Sequence, residues 1–290
     1  MTQIDELGFY MSTTLGGLSL LATTLVIAAA FYVEPSNNTR LNLVFCMMSV
    51  QWFRAFIIVC GSITMLNRQL EDFTPGLDCS VSGFFIQQTL VAADITSVYI
   101  GVYTWVAFAM PKKFTQFHNF LEKHFTITFF FPWVLGTIIG IIAAYEPGYI
   151  PIKSSWCTVS SKDNYLWRWI FLWGSRLVFT VLLTGFYGHI LVIIVKSRKV
   201  LESTSEENEE HSIKLRKAAR KLLLYPLIYI AFRLPAIIDD MHPGNRILLI
   251  LHNTMTASGL ADALVYGYSE DLRSRLVLKW HGAQPSEFAK

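Results

Sequence analysis

Residues 9–32 read FYMSTTLGGLSLLATTLVIAAAFY, and this stretch decides the fold class. Over its 24 residues it contains no charged side chain, no histidine and no side-chain amide. About 20 mostly apolar residues are enough to cross the hydrocarbon core of a bilayer as a helix. The stretch therefore predicts a helix that spans a membrane.

The rest of the chain repeats this signal. It is 290 residues long, with 53% hydrophobic and 16% charged residues, which is too apolar for an average soluble domain. Backbone polar groups in hydrocarbon must be paired within their own segment, so long apolar runs predict helices rather than open strands. We predict an all-α bundle of seven membrane-spanning helices within residues 1–268, at about residues 9–32, 41–66, 81–110, 125–145, 166–196, 213–238 and 247–268.

The positions of Lys and Arg predict the orientation of this bundle. With the N-terminus outside, the inner segments hold sixteen of these residues and the outer segments four. Positive charge is enriched in cytoplasmic loops, so we predict an extracellular N-terminus and a cytoplasmic C-terminus. The connection between the third and fourth helices, with Lys112, Lys113 and Lys123, is predicted as an inner loop.

Residues 269–290 are predicted as a cytoplasmic tail with a short amphipathic helix at 269–280. Ser269 suits the N-cap, and Leu272, Leu276 and Trp280 form one apolar stripe. Such a helix lies along the inner leaflet of a membrane.

The four cysteines divide by position. Cys79 and Cys157 both fall at the predicted outer face, where the compartment is oxidising, so we predict a disulfide between them, the alternative being two free thiols. Cys46 and Cys60 lie inside the second helix and are interpreted as small core residues. The histidines are scattered in depth and no CxxC spacing occurs, so neither a metal site nor a zinc-dependent intramembrane hydrolase is predicted.

Charged residues inside the predicted helices are the functional candidates, because an ionisable group within a membrane is costly. We predict a cationic cup suited to an anion or a highly oxygenated small molecule. The candidate ligand-binding residues are Arg54, Gln87, Asp94, Arg176, Tyr229, Arg233 and His252. A structural alternative remains open, in which Arg54 pairs with Asp94 as a bridge within the bundle and Arg176 or Arg168 extends outward towards the membrane surface.

The sixth helix combines polar residues with helix-breaking ones. Tyr225, Tyr229 and Arg233 follow each other at intervals of four residues and share one face, while Pro226 and Pro235 bend the helix. Basic residues gather at the inner ends of the fifth and sixth helices. They serve either as a membrane anchor or as a docking surface for a cytosolic partner, and comprise Lys196, Arg198, Arg216, Lys217 and Arg220.

Gly136 and Gly140 form a GxxxG pattern in the fourth helix. Small residues at this spacing let two helices approach closely. We favour packing within the bundle over dimerisation as the use of this pattern.

Two further stretches are distinctive: LLLYPLIYIAFRLPAIID in the sixth helix and GLADALVYGYSEDLRSRL at the end of the seventh. The first is similar to a YPxxYxxxxLP pattern, and together they resemble the cyclic-AMP-receptor-like G-protein-coupled receptors of slime moulds and fungi. The third helix reads YTWVAF where rhodopsin-like receptors have Asp-Arg-Tyr. The resemblance implies a multi-pass receptor of the plasma membrane that couples to a heterotrimeric G protein.

The resemblance also implies an extracellular small-molecule ligand, nucleotide-like or nutrient-like, and no enzymatic activity. No lysine occurs in residues 247–268, which excludes a retinal Schiff base in the seventh helix, so no cofactor is expected. Membrane lipids are expected neighbours, whereas the net charge of +3 gives no reason to expect nucleic acid. The alternative function is a seven-helix transporter or channel for a small solute.

Overall fold

The computed structural model describes the protein at residues 3–33, 39–67, 77–146, 148–151, 157–159, 165–201, 228–232, 234–235, 238, 247, 250 and 253–269. These residues are almost all helical. The predicted tail and amphipathic helix at 269–290 lie outside them apart from Ser269, the last described residue of a helix.

Five helices in the described residues are long and apolar enough to cross a membrane. They are α1 (Gln3–Val33), α2 (Thr39–Asn67), α3 (Leu77–Ala109), α5 (Phe125–Tyr145) and the continuous run from α6 (Tyr165–Arg168) through a π-helical segment (Trp169–Gly174) into α7 (Ser175–Leu201). The predicted sixth helix is described only in part, at 228–232, 234–235 and 238. The predicted seventh is described mainly as a 3-10 segment (Thr254–Ala257) followed by α8 (Ser258–Ser269).

Helix α3 lies at the centre of the described bundle, because it packs against α2, α5 and α7. Its residues between 89 and 96 are all buried. By contrast, α5 exposes large apolar side chains such as Ile127, Phe130 and Ile141. A helix whose outer face is this apolar is suited to contact with lipid.

The two glycines of the GxxxG pattern hold α5 against α3. A Cβ atom on Gly136 would come within 2.5 Å of the backbone oxygen of Gln88, and one on Gly140 within 3.0 Å of the Phe84 ring. Both glycines are buried. The prediction that this pattern serves packing within the bundle is confirmed.

Residues 111–123, predicted as a loop, form the short helix α4 (Pro111–Lys123). Pro111 suits the first turn of a helix, where no backbone donor is needed. Leu121 is buried, the Phe114 ring lies 5.3 Å from that of Tyr103, and Lys112, Lys113 and Lys123 are exposed. The loop prediction was wrong because residues 111–123 have one apolar side that packs against the end of α3 and one polar side, and this pattern stabilises a helix.

A small hairpin closes the opposite end of α3. Strands β1 (Tyr149–Pro151) and β2 (Cys157–Val159) pair antiparallel, with Tyr149 opposite Val159. The predicted disulfide joins Cys157 to Cys79 at the start of α3, which confirms it. We call this the disulfide end of the bundle, and the end that carries Lys112, Lys113 and Lys196 the lysine end.

Tyr149 fixes the hairpin to both α3 and α5. Its ring occupies the space where a Gly83 side chain would begin, and its hydroxyl donates to the carbonyl oxygen of Gly140 at 2.9 Å. Burial raises the pKa of the Tyr149 hydroxyl further above the neutral range, in which this group is protonated and can donate.

The remaining cysteines differ from each other. Cys46 is buried, as predicted, whereas Cys60 is exposed, so its placement in the core was wrong. The thiol is apolar enough to lie on the outer face of a membrane helix, and a run of apolar residues does not indicate which face each one occupies.

Candidate functional site

A group of buried polar residues lies between α3 and α7 and extends from the part towards the disulfide end to the middle of the bundle. Gln87 on α3 and Arg176 on α7 are each 3% exposed, and Asp94 on α3 is 2% exposed. At 1.5 Å per residue, Asp94 lies about 10 Å further along α3 than Gln87. These three side chains, with Tyr229, form the group that we call the α3–α7 polar core.

The π-helical segment provides the first contact of this core. A π turn leaves a wider ring of backbone than an α turn, and such turns occur often at functional sites. Gln87 Nε2 donates to the carbonyl oxygen of Phe171 at 2.8 Å. Gly174 makes the turn possible, since a Cβ atom there would lie 2.8 Å from the carbonyl oxygen of Trp169.

Arg176 follows the π segment directly and is buried in the first turn of α7. It interacts with other residues of the chain, as do Asp94 and Arg54. A guanidinium group in this position supplies several hydrogen-bond donors in a planar arrangement, which suits carboxylate, phosphate or hydroxyl oxygens.

Asp94 connects α3 to the sixth helix. The hydroxyl of Tyr229 donates to Asp94 Oδ1 at 3.0 Å, and both side chains are buried. Tyr229 belongs to the helical stretch at 228–232. A polar link therefore runs from the centre of the bundle to the sixth helix, which the sequence predicts to be bent.

Neighbouring amides on α3 have different surroundings. Gln88 turns away from the polar core and donates to the hydroxyl of Thr137 on α5 at 2.6 Å. Successive helical residues point about 100° apart, so only Gln87 of this pair contributes to the polar core.

A second polar group joins the start of α8 to α1 and α2. Ser19 donates to the carbonyl oxygen of Thr256 at 2.7 Å and accepts from the backbone N–H of Leu260 at 3.2 Å. Ser12 donates to Asn253 Oδ1 at 2.9 Å. The first N–H groups of a helix lack partners within it, and in a membrane neighbouring side chains must supply them.

Arg54 belongs to this second group. Its Nη2 donates to the hydroxyl of Ser258, and both residues are buried. One turn away on α2, Gln51 Nε2 donates to Asp262 Oδ2 at 2.5 Å. The bond from Arg54 to Ser258 thus directs the arginine side chain towards α8. Ser12, Ser19 and Ser258 were not among the predicted residues, because an isolated serine in an apolar run has no distinguishing pattern.

A cavity of about 30 Å³ lies on the lysine side of Asp94. This volume suits one or two water molecules and is far below the roughly 300 Å³ of a small-molecule pocket. The lining residues are Met47, Ser97, Ile100, Leu183, Tyr187, Tyr229, Asp262 and Tyr266.

Several predicted residues lie outside this description. Arg233 and His252, and the basic residues Arg216, Lys217 and Arg220, are not among the described residues. Lys196 is exposed near the end of α7, and Arg198 falls within the same helix. Across the described parts of the chain, no group of three His, Cys, Asp or Glu residues could hold a metal ion.

Comparison with known families identifies the bundle. A model of the family Git3, described as a G protein-coupled glucose receptor regulating Gpa2, matches residues 8–201, which run from α1 to the end of α7. The chain belongs to the Git3 family. It is therefore placed among G-protein-coupled receptors and not among enzymes.

One curated relative adds to this placement. The ascaroside receptor GPR2 of Arthrobotrys oligospora is 30% identical over 126 residues. The matched stretch covers 42% of this chain and 28% of the relative, so this chain spans well under half of the relative's length. Together the matches support a fungal receptor of the G-protein-coupled class. The narrower placement with cyclic-AMP-receptor-like proteins is not confirmed by them.

Proposed function

We propose that this Git3-family receptor detects a small polar or anionic molecule at its disulfide end and activates a heterotrimeric G protein at its lysine end. The observation that carries the proposal is the α3–α7 polar core, in which Gln87 and Arg176 are buried towards the disulfide end and Asp94 is buried near the middle of α3. Polar groups at this depth are costly unless they serve structure or recognition.

The chemistry of the core is compatible with two ligand classes. The Arg176 guanidinium suits an anion, while the Gln87 amide, the Asp94 carboxylate and the Tyr229 hydroxyl suit a molecule rich in hydroxyl groups. The names of the family and of the relative mention glucose and an ascaroside. We extend the site to Arg54, Arg233 and His252 on sequence grounds alone.

Signal transfer would use the contact between Asp94 and Tyr229. A ligand that engages Arg176 would alter the surroundings of Asp94, which lies about 10 Å from Gln87 along α3. Because Tyr229 donates to Asp94, this change would shift the helical stretch at 228–232. Such a ligand must bind one state of the bundle more tightly than the other, since equal affinity shifts no equilibrium.

The partner surface would lie at the lysine end. Lys196 at the end of α7 and Lys112 and Lys113 on α4 are exposed there. We add Arg198, Arg216, Lys217 and Arg220 from the sequence. Such a basic surface complements an acidic patch on a G-protein subunit and accelerates association. The resemblance of the sixth helix to cyclic-AMP-receptor-like proteins supports the same coupling.

Nucleotide exchange on a purified heterotrimeric G protein tests the proposal. The receptor is reconstituted in nanodiscs, and glucose, an ascaroside and cyclic AMP are the probe compounds. We expect one of them to accelerate exchange over empty nanodiscs. Arg176→Gln and Gln87→Ala are expected to weaken its potency about tenfold or more, the loss of a hydrogen bond to a charged or polar ligand.

Gln88→Ala is the matched control, because it removes a partly buried amide from the next position on α3 without touching the polar core. It should leave potency within about twofold. Equal effects of Gln87→Ala and Gln88→Ala would place the ligand elsewhere. Exchange that stays at the level of empty nanodiscs under every condition would contradict coupling itself.

A further inference from the structure

A histidine on the outer surface of α7 has one ring nitrogen engaged and one facing outward. Trp105 Nε1 on α3 donates to His189 Nδ1 at 2.9 Å. An indole nitrogen is a donor only, so Nδ1 of the histidine carries the accepting lone pair and Nε2 carries the proton. His189 is exposed, and within the described residues Nε2 has no hydrogen-bond partner.

This position lies within the apolar part of a membrane helix. The span containing it runs from Trp169 to Lys196. His189 is seven residues from Lys196, or about 10 Å along the helix axis. An N–H group left without a partner in hydrocarbon costs several kcal/mol, so this donor calls for an acceptor that the membrane itself supplies.

The surface beside His189 is flat. Gly185 lies four residues earlier on the same face, and a Cβ atom there, or on Gly188, would meet no atom within 4 Å. Val181, a further four residues away, is 69% exposed. Phe186, whose ring lies 5.8 Å from that of Trp105, borders this surface. The stripe formed by Val181, Gly185 and His189 is thus a smooth apolar surface. It has one hydrogen-bond donor, His189 Nε2, at the end of the stripe nearer Lys196.

We propose that the surface formed by Val181, Gly185, His189 and Trp105 binds a sterol, with the sterol hydroxyl oxygen accepting from His189 Nε2 and the rigid rings lying over Gly185. A sterol matches this surface because it consists of one hydroxyl group and a flat apolar ring system. The hydroxyl would lie in the leaflet at the lysine end, and the rings would extend towards the middle of the bilayer.

A phospholipid fits the position less well. Its ester oxygens are attached to a charged headgroup, which would have to be drawn about 10 Å below the level of Lys196 to reach His189. Moving a charge that far into hydrocarbon costs much more than moving one hydroxyl that regains a hydrogen bond. Flexible acyl chains also gain nothing specific from the flat surface at Gly185.

Photolabelling tests the sterol site. The full chain is reconstituted in nanodiscs with a cholesterol analogue that carries a diazirine on its ring system and keeps its hydroxyl, and labelled peptides are mapped by mass spectrometry. We expect labelling in the segment from Val181 to His189. His189→Phe should lower it about five- to tenfold, the loss of one hydrogen bond, and Gly185→Leu should abolish it by filling the surface.

Matched variants separate binding from folding. Gly17→Leu is the control for added bulk, because a Cβ atom on Gly17 also meets nothing within 4 Å, and it should leave labelling unchanged. His189→Gln can accept from Trp105 and donate outward, so it should retain most of the labelling. Circular dichroism checks that each variant remains helical.

Any one of several results would overturn the proposal. They are labelling that maps away from α7, labelling that survives both His189→Phe and Gly185→Leu, equal labelling by a sterol analogue that lacks the hydroxyl, and displacement of the probe by phospholipid as readily as by unlabelled sterol. Cross-linking of His189 to a second copy of the chain instead of the probe would assign this surface to a dimer and equally contradict it.

Discussion

Single hydrogen bonds between helices decide where the polar residues of this bundle point. Tyr229 and Asp94 form the bond that links the described part of the sixth helix to α3, and both are buried. Such a bond contributes more when one partner carries charge, and removing one partner leaves the other desolvated. The bond therefore affects both stability and the position of the sixth helix.

We predict that Tyr229→Phe lowers the free energy of unfolding by about 1–3 kcal/mol, because Asp94 Oδ1 loses this donor while remaining buried. Loosening the sixth helix should also raise nucleotide exchange in the absence of any added compound. Thermal unfolding in detergent and basal exchange in nanodiscs measure the two effects.

Tyr10→Phe is the control for this substitution, since Tyr10 is 62% exposed on α1. It should change neither quantity. If Tyr229→Phe matched Tyr10→Phe in both assays, the bond between Asp94 and Tyr229 would have no role in holding the sixth helix.

At the scale of elements, close approach of helices depends on glycine. The contact of α5 with α3 relies on Gly136, where an added Cβ atom would meet the backbone oxygen of Gln88 at 2.5 Å. A backbone atom cannot move aside as the end of a side chain can. Neighbouring turns of both helices would have to separate.

We predict that Gly136→Leu lowers the free energy of unfolding by about 1–3 kcal/mol or more, the usual cost of overpacking a close contact. Thermal unfolding of the detergent-solubilised protein measures it. Gly17→Leu, at a glycine with open space, should leave the melting temperature unchanged. A similar melting temperature for both variants would mean that α3 and α5 are not in close contact at Gly136.

The hairpin at the disulfide end is a second element with a defined attachment. Cys79 and Cys157, separated by 78 residues in sequence, tie it to the start of α3. We predict that Cys79→Ser, Cys157→Ser and the double variant all lower the free energy of unfolding by a similar amount, about 2–4 kcal/mol, because each removes the same cross-link.

Thermal unfolding under non-reducing conditions gives this comparison. Cys60→Ala is its control, because Cys60 is a free and exposed thiol. If the wild-type protein had the same melting temperature as the variants without reductant, the disulfide would not form in the membrane. Strictly additive losses in the double variant would point to separate roles for the two cysteines.

The elements also show how far sequence reasoning extends. Long apolar runs and the disulfide were predictable, because hydrophobic length and compartment leave few alternatives. The helix α4 was missed, since its apolar stripe is short and its lysines suggested a loop. The π segment depends on Gly174 and on the Gln87 contact with Phe171, a partner 84 residues away, which no local pattern reveals.

The candidate site was predictable in composition but not in partners. Arg54, Asp94, Arg176 and Gln87 stand out in sequence because membrane helices rarely carry such residues. Their contacts involve Ser258, Tyr229 and the Phe171 carbonyl, which are common groups in any chain. Pairing of this kind is fixed by how helices rotate against each other, and that rotation is a property of the whole bundle.

For the whole molecule, the distribution of charge distinguishes the two ends. The lysine end exposes Lys112, Lys113 and Lys196, whereas the described residues beyond α5 at the disulfide end expose Glu146. Positive charge favours the cytoplasmic side during insertion. The disulfide independently favours an oxidising compartment for its own end. Two unrelated physical effects therefore predict the same orientation.

We predict that Glu146→Cys reacts with a membrane-impermeant maleimide on intact cells, while Lys113→Cys reacts only after the cells are permeabilised. Both positions are exposed, and a background with Cys60→Ala removes the exposed native thiol. Gel shift of the labelled receptor measures the reaction, and the parent background without either new cysteine gives the blank. Labelling of Lys113→Cys on intact cells, with Glu146→Cys protected, would reverse the orientation and move the proposed ligand site to the cytoplasm. Because the ligand and G-protein proposals assign opposite ends of the bundle to opposite compartments, this single result bears on both.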